Sequence, residues 1–185
     1  MRHHGAVTAP IPVSASPAER IRAASRRWTE PELVDRCAAL LRGGPADDPE
    51  LLAYLGGRGA QPLLDLDALV YWPAVWAARA LLYAWHPTAA SAVVAALGHD
   101  AWRVREMCAK VCALRELGEA ADPLAAALAD PVPRVRAAAA RGLGVVGEAE
   151  HAGPLRKALT DTDPEVRRRA DQALARLSDR LDRPL

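Results

Sequence analysis

Val104, Val135 and Val166 stand 31 residues apart, each inside a like motif: Trp102-Arg103-Val104-Arg105, Pro133-Arg134-Val135-Arg136 and Pro164-Glu165-Val166-Arg167. The surroundings recur as well. Seven residues before each valine lies a leucine (Leu97, Leu128, Leu159), and eleven before lie Val93, Leu124 and Leu155. Four residues after lie Cys108, Ala139 and Ala170, and eight after lie Cys112, Leu143 and Leu174. Offsets of 0, +4 and +8 share one helix face, so each valine heads a buried stripe, matched by a stripe on the preceding helix. A repeat of this length built from two helical stripes marks stacked hairpins. One hairpin cannot bury both of its faces, so neighbours must stack into a continuous core.

The fold class that follows is all-α: an α-solenoid of stacked antiparallel helical hairpins. Each unit reads as helix, glycine-containing turn (Gly118, Gly147), helix and a tight connection at Asp130-Pro131 or Asp161. Pro73-Ala74-Val75-Trp76, 29 residues before the Trp102 motif, resembles an earlier, degenerate unit, although strict alignment puts Arg79 where its sisters have a small residue. Composition agrees. Alanine, the best helix former, is very common, phenylalanine is absent, and strand-like runs are hard to find.

Three regions are expected. Residues 1–17, rich in Pro, Ser and Ala, read as a disordered N-terminal arm, in which His3 and His4 are too few to suggest a metal site. Residues 18–70 read as N-terminal helices, either divergent repeats or a cap. They comprise 18–28, a helix capped by Thr29 and running to Leu41, one opened by Asp47-Asp48-Pro49 and one from Gln61-Pro62 to about Val70. Residues 71–185 form the repeat array.

The units resemble HEAT repeats, in particular the short variety named after phycobilisome lyases. The resemblance rests on Asp130-Pro131-Val132-Pro133-Arg134-Val135-Arg136 with Leu143-Gly144, and on Asp161-Thr162-Asp163-Pro164-Glu165-Val166-Arg167 with Leu174. It covers about residues 93–177 and extends weakly back to residue 71. It implies a scaffold used by adaptors, regulators, chromophore lyases and DNA-alkylation-repeat glycosylases, and by itself names no function. It also implies a structural Asp/Arg ladder, with Asp130 and Arg136, and Asp161 and Arg167, as its members. Arg105 joins it out of step with Asp100.

The charges exclude a bulk basic field of the kind that drives nonspecific nucleic-acid binding, since the formal net charge is +1. The three cysteines, Cys37, Cys108 and Cys112, are expected to be reduced, in a cytoplasmic protein. No apolar run is long enough to span a membrane. Cys108 and Cys112 have metal-ligand spacing, but both fall on core offsets, so no metal is expected. His86, His99 and His151 form no paired motif. No nucleophile elbow, phosphate loop or dinucleotide fingerprint occurs. Gly142-Leu143-Gly144-Val145-Val146-Gly147 reads as a turn at a helix end. No catalytic residue and no cofactor are expected.

Five of the eight aromatic residues lie between Tyr71 and Trp85. Trp72, Trp76, Arg79 and Tyr83 are spaced 0, +4, +7 and +11, one helix face. With Trp102 nearby they are the candidate partner-binding residues, set against plain packing onto the N-terminal helices, in which Trp76 is buried and Arg79 reaches solvent or an acidic partner. Arg103, Arg134, Arg167, Arg168, Arg169 and Arg176 could line one side, diluted by Asp163, Glu165, Asp171 and Asp179. The reading is a non-catalytic protein-interaction module, an adaptor or regulator. Its partner is a protein held along a concave groove, expected on the successive second helices of the hairpins. A nucleic-acid binder similar to the alkylation-repeat glycosylases is the alternative, and a chromophore-handling protein rests on analogy alone.

Overall fold

The computed structural model describes residues 10–60, 71–182 and 184. Among the described residues every regular element is helical. His3, His4 and the helix expected from Gln61 to Val70 lie outside them.

Among the described residues, three helices precede the array. Ser16 and Glu19 close a capping box on α1 (Pro17–Arg27). Thr29 caps α2 (Glu30–Leu41), and Asp48 caps α3 (Pro49–Gly56). Each opens with proline in its first turn, where a missing N–H costs no hydrogen bond. Val13, Ser14 and Ala15, expected in the disordered arm, are held against the rest of the chain. Val13 accepts a bond from the Arg58 amide at 3.2 Å, and Ser14 Oγ receives the Arg58 guanidinium at 2.7 Å. The cause is Arg20, whose buried guanidinium needs acceptors. It finds them at Tyr54 O (2.9 Å), Leu55 O (3.3 Å) and Ala15 O (2.6 Å), tying the chain before α1 to the end of α3.

The array follows as α4 (Trp72–Ala80), α5 (Ala90–Ala95), α6 (Trp102–Leu114), α7 (Ala121–Ala127), α8 (Pro133–Val146), α9 (Ala152–Ala158) and α10 (Pro164–Arg180). The long helices α6, α8 and α10 carry the three repeat valines, all with 0% of their surface accessible. The short helices α5, α7 and α9 are each entered through a single 3-10 turn. Long helices pack directly on one another from α4 through α10. The short ones stand apart, leaving grooves of about 500 Å³ between α7 and α9 and about 440 Å³ between α5 and α7. Closer spacing on one side curves the stack toward that side, so the long helices form the inner face. The second helices of the hairpins, on which the groove is expected, are the short helices on the opposite side of the stack.

Two helix glycines permit the close approach. A Cβ on Gly144 would stand 2.9 Å from Ala173 Cα, and one on Gly142 would stand 2.8 Å from a Leu124 methyl. The glycine-rich stretch read as a turn therefore runs inside α8 as far as Val146, with only Gly147 outside it as the C-cap.

The ladder exists, but its partners differ from those expected. Arg136 donates Nη1 to the Asp130 backbone carbonyl at 2.8 Å, not to the Asp130 carboxylate. Its Nε and Nη2 grip the Asp161 carboxylate of the next unit at 2.7 and 2.8 Å. Arg105 repeats this one unit earlier, donating to His99 O and Asp100 O and gripping Asp130 at 2.6 and 3.0 Å. Among the described residues Arg167 makes only the carbonyl contacts, to Asp161 O and Thr162 O. Each complete rung therefore crosses between units.

Candidate partner-binding face

The four-residue aromatic stripe does not form one exposed surface. Helix α4 stops at Ala80, so Tyr83 lies beyond it, exposed. Trp76 is buried, its ring against Gly56 at the end of α3. Arg79 is half-buried and donates Nη2 to Leu55 O at 2.8 Å, rather than pairing with an acidic partner. Burial, and then the neighbouring Arg20, lowers its pKa below the usual guanidinium range. Trp72 is half-buried, stacked on Tyr71 at 5.6 Å between ring centroids.

Trp72 and Trp102 are joined by a residue outside that stripe. The Arg103 guanidinium lies 5.5 Å from the Trp72 ring centroid and 4.4 Å from that of Trp102. Arg134, at the equivalent position one unit on, lies 5.5 Å from the Trp102 ring centroid. The outcome is an alternating row, Trp72, Arg103, Trp102, Arg134, running across α4, α6 and α8. Aromatic faces attract guanidinium groups while leaving their N–H edges free to donate. Trp102 and Arg103 of this row border a cleft of about 830 Å³ that also meets Tyr71, Gly43, Gly44 and His99.

The row continues as a basic face. On each long helix the positions −1, +3, +6 and +10 from the valine point away from the short helices. They are Arg103, Met107, Lys110 and Leu114 on α6, and Arg134, Ala138, Arg141 and Val145 on α8. On α10 they are Glu165, Arg169, Gln172 and Arg176. Lys110, Arg134, Arg141 and Arg169 surround a depression of about 190 Å³ floored by Ala137 and Ala138. Glu106, buried in its wall, takes Lys110 at 2.8 Å and Arg134 at 3.2 Å. Glu165 pairs with Arg168 and Arg169, which lowers its pKa.

Two of the acids counted against a basic face are placed elsewhere. Asp163 is the N-cap of α10, accepting from the Glu165 and Val166 amides. Asp171 occupies the position of the buried Ala109 and Ala140, on the side of α10 that sister helices turn toward the next unit.

Other candidates are occupied structurally. Nδ1 of His86, His99 and His151 each accepts a backbone N–H at an inter-helix turn. Cys37, Cys108 and Cys112 are fully buried. Burial pushes the Cys37 and Cys112 thiols up to about 12 and that of Cys108 higher still. Among the described residues no cluster of His, Cys, Asp and Glu could hold a metal ion, and no helix is long and apolar enough to cross a membrane.

Stacked antiparallel helix pairs, joined by arginine rungs and presenting one continuous helical face, define an α-solenoid. Residues 121–185 match the family model of HEAT repeats. The match is to HEAT repeats as a class and does not distinguish the short phycobilisome-lyase variety. The crystal structure of an engineered protein from the Northeast Structural Genomics Consortium is similar at a TM-score of 0.48 and 22% identity, covering 89% of this chain and 80% of that one. No curated protein matches.

Proposed function

We propose that this chain is a non-catalytic interaction module, an adaptor or regulator, that holds a protein partner along the inner face of its long helices. The observation that carries the reading is the continuous row Trp72, Arg103, Trp102, Arg134, which crosses three successive long helices. Aromatic and arginine side chains are the residues that dominate protein interfaces, because they combine large apolar area with directed donors. The two acids found there, Glu106 and Glu165, are engaged by lysine and arginine, which supports reading this face as a binding surface.

The test is site-directed photocrosslinking in cells of the source organism. A photoreactive side chain replaces Met107 on the inner face, and in a control replaces Lys157 on the short helix α9. A discrete protein adduct from position 107, lost when Trp102 is changed to alanine and missing from position 157, supports the module. No protein adduct from position 107 overturns it, and an adduct sensitive to nuclease instead favours a nucleic-acid partner.

A further inference from the structure

The inner face has a charge character that the whole chain lacks. The formal net charge of the protein is +1. The positions −1, +3, +6 and +10 of α6, α8 and α10 nevertheless carry Arg103, Lys110, Arg134, Arg141, Arg169 and Arg176 against Glu165, with Glu106 sunk in the wall and the exposed Asp179 beyond Arg176 at the far end of α10. Arg141 is exposed, and no carboxylate among the described residues pairs with it. Arg103 faces rings rather than carboxylates. Between these cations the floor is apolar: Ala137 and Ala138, continued by Met107, Val145 and the exposed Leu114.

We infer that this face takes an acidic segment of a partner protein, whose carboxylates pair with Lys110, Arg134, Arg141 and Arg169 while a small apolar side chain rests on Ala137 and Ala138. The inference rests on the interaction-module reading and names the chemistry of its partner. Guanidinium forks bind carboxylates through two parallel bonds, and the fork of Arg141 is open to solvent. The depression of about 190 Å³ is of a size for one small aliphatic side chain. Two carboxylates stand inside it, Glu106 and Glu165, at spots where a continuous phosphate backbone would meet like charge. A protein segment avoids this by setting apolar or neutral residues opposite them. The Glu106 carboxylate, held by Lys110 and Arg134, also fixes where those two cations point, so the positive groups are preorganised before a partner arrives.

The experiment uses the full chain and three fluorescent probes: a short peptide of Glu, Leu and Ala in a helical pattern, the same peptide with Lys in place of Glu, and a single-stranded oligonucleotide. The acidic peptide is expected to bind more tightly than the basic one and to weaken as salt is raised. Arg141→Glu should weaken it by about tenfold, as loss and reversal of a desolvated pairing partner does. The same charge change on the short-helix side, Lys157→Glu, should leave binding unchanged. Circular dichroism confirms that both variants fold, since Arg141 and Lys157 are exposed and outside the core. Equal binding of acidic and basic peptides, or insensitivity to Arg141→Glu, overturns the inference. Tighter, Arg141-dependent binding of the oligonucleotide overturns it in favour of nucleic acid. A crosslinked protein partner at position 107 that competes with neither peptide leaves the module standing and removes only its acidic chemistry.

Discussion

Arg136 holds the Asp161 carboxylate of the following unit in a two-bond clasp at 2.7 and 2.8 Å, while its remaining nitrogen donates to the Asp130 carbonyl of its own unit. One side chain thus closes a turn and fastens two repeats. Both groups are largely withdrawn from water, so cutting one partner leaves the other buried and unpaired.

Asp161→Asn is therefore expected to destabilise the protein by about 2 kcal/mol, read from denaturant midpoints. The pH dependence has a definite sign. The bond from Arg136 holds the Asp161 carboxyl below its ordinary value; at Asp130 burial opposes, but bonds from Arg105 and Val132 outweigh it. A depressed folded pKa means stability that is present above the unfolded value, about 3.9, and lost as pH falls below it. Thermal melts between pH 5 and 2 should show a shallower acid loss in Asp161→Asn than in the parent, and an unchanged slope would remove the rung from the account.

The glycines give a prediction of opposite signs. Gly153 lies in α9, where an added Cβ would meet nothing within 4 Å, so Gly153→Ala should stabilise by about 0.5 kcal/mol through helix propensity. In α8 the same gain is overtaken, because a Cβ on Gly144 comes within 2.9 Å of the Ala173 backbone. Gly144→Ala should destabilise by about 1–2 kcal/mol as α8 and α10 are pushed apart. Melting temperatures that rise for both would refute the close contact.

Much of the array was legible because its core positions recur three times. Val104, Val135 and Val166 share one environment, and so do Cys108, Ala139 and Ala170, all with 0% accessibility. The rungs were legible only in part. Sequence spacing shows Asp130 near Arg136, but the rise from one unit to the next, which brings Arg136 to Asp161 instead, is a property of stacking. The site was less legible again. A helical wheel drawn through Tyr83 presumes a helix that ends at Ala80. Arg103 and Arg134 were visible as charges, yet their place beside Trp102 depends on adjacent long helices, and Asp163 looked like a diluting charge until it proved to be a cap.

The thiols provide a check on the core. All three should resist an aqueous thiol reagent in the native protein and react promptly in denaturant. Burial raises their folded pKa values, so the folded state keeps its thiol protons to higher pH than the unfolded one. That contribution is complete below the unfolded value of about 8.5 and is lost as pH climbs toward the folded values, so stability should decline above about pH 8.5. Rapid native labelling of Cys108 or Cys112 would mean that α6 is not packed as described.

The last prediction concerns the junction between the N-terminal helices and the array. Helix α4 is covered on both sides: Ala74, Val75, Trp76, Ala77, Ala78 and Ala80 are all buried, with α2 and α3 on one side and α6 on the other. A helix covered twice cannot serve as an end. Removing residues 1–70 would uncover Trp76 where it meets Gly56, and would strip Arg79 of its Leu55 acceptor. An exposed tryptophan with flanking alanine and valine forms an apolar patch of a few hundred Å², about the size at which proteins begin to self-associate. The shortened chain should therefore aggregate, or populate dimers on a sizing column, with tryptophan emission shifted to longer wavelength. Trp76→Ala in the full chain should destabilise it by about 3 kcal/mol without aggregation at low temperature, since the N-terminal helices still cover α4. A shortened chain that stays monomeric, with unshifted emission, would show that α4 needs no cover and that the N-terminal helices are a separate unit.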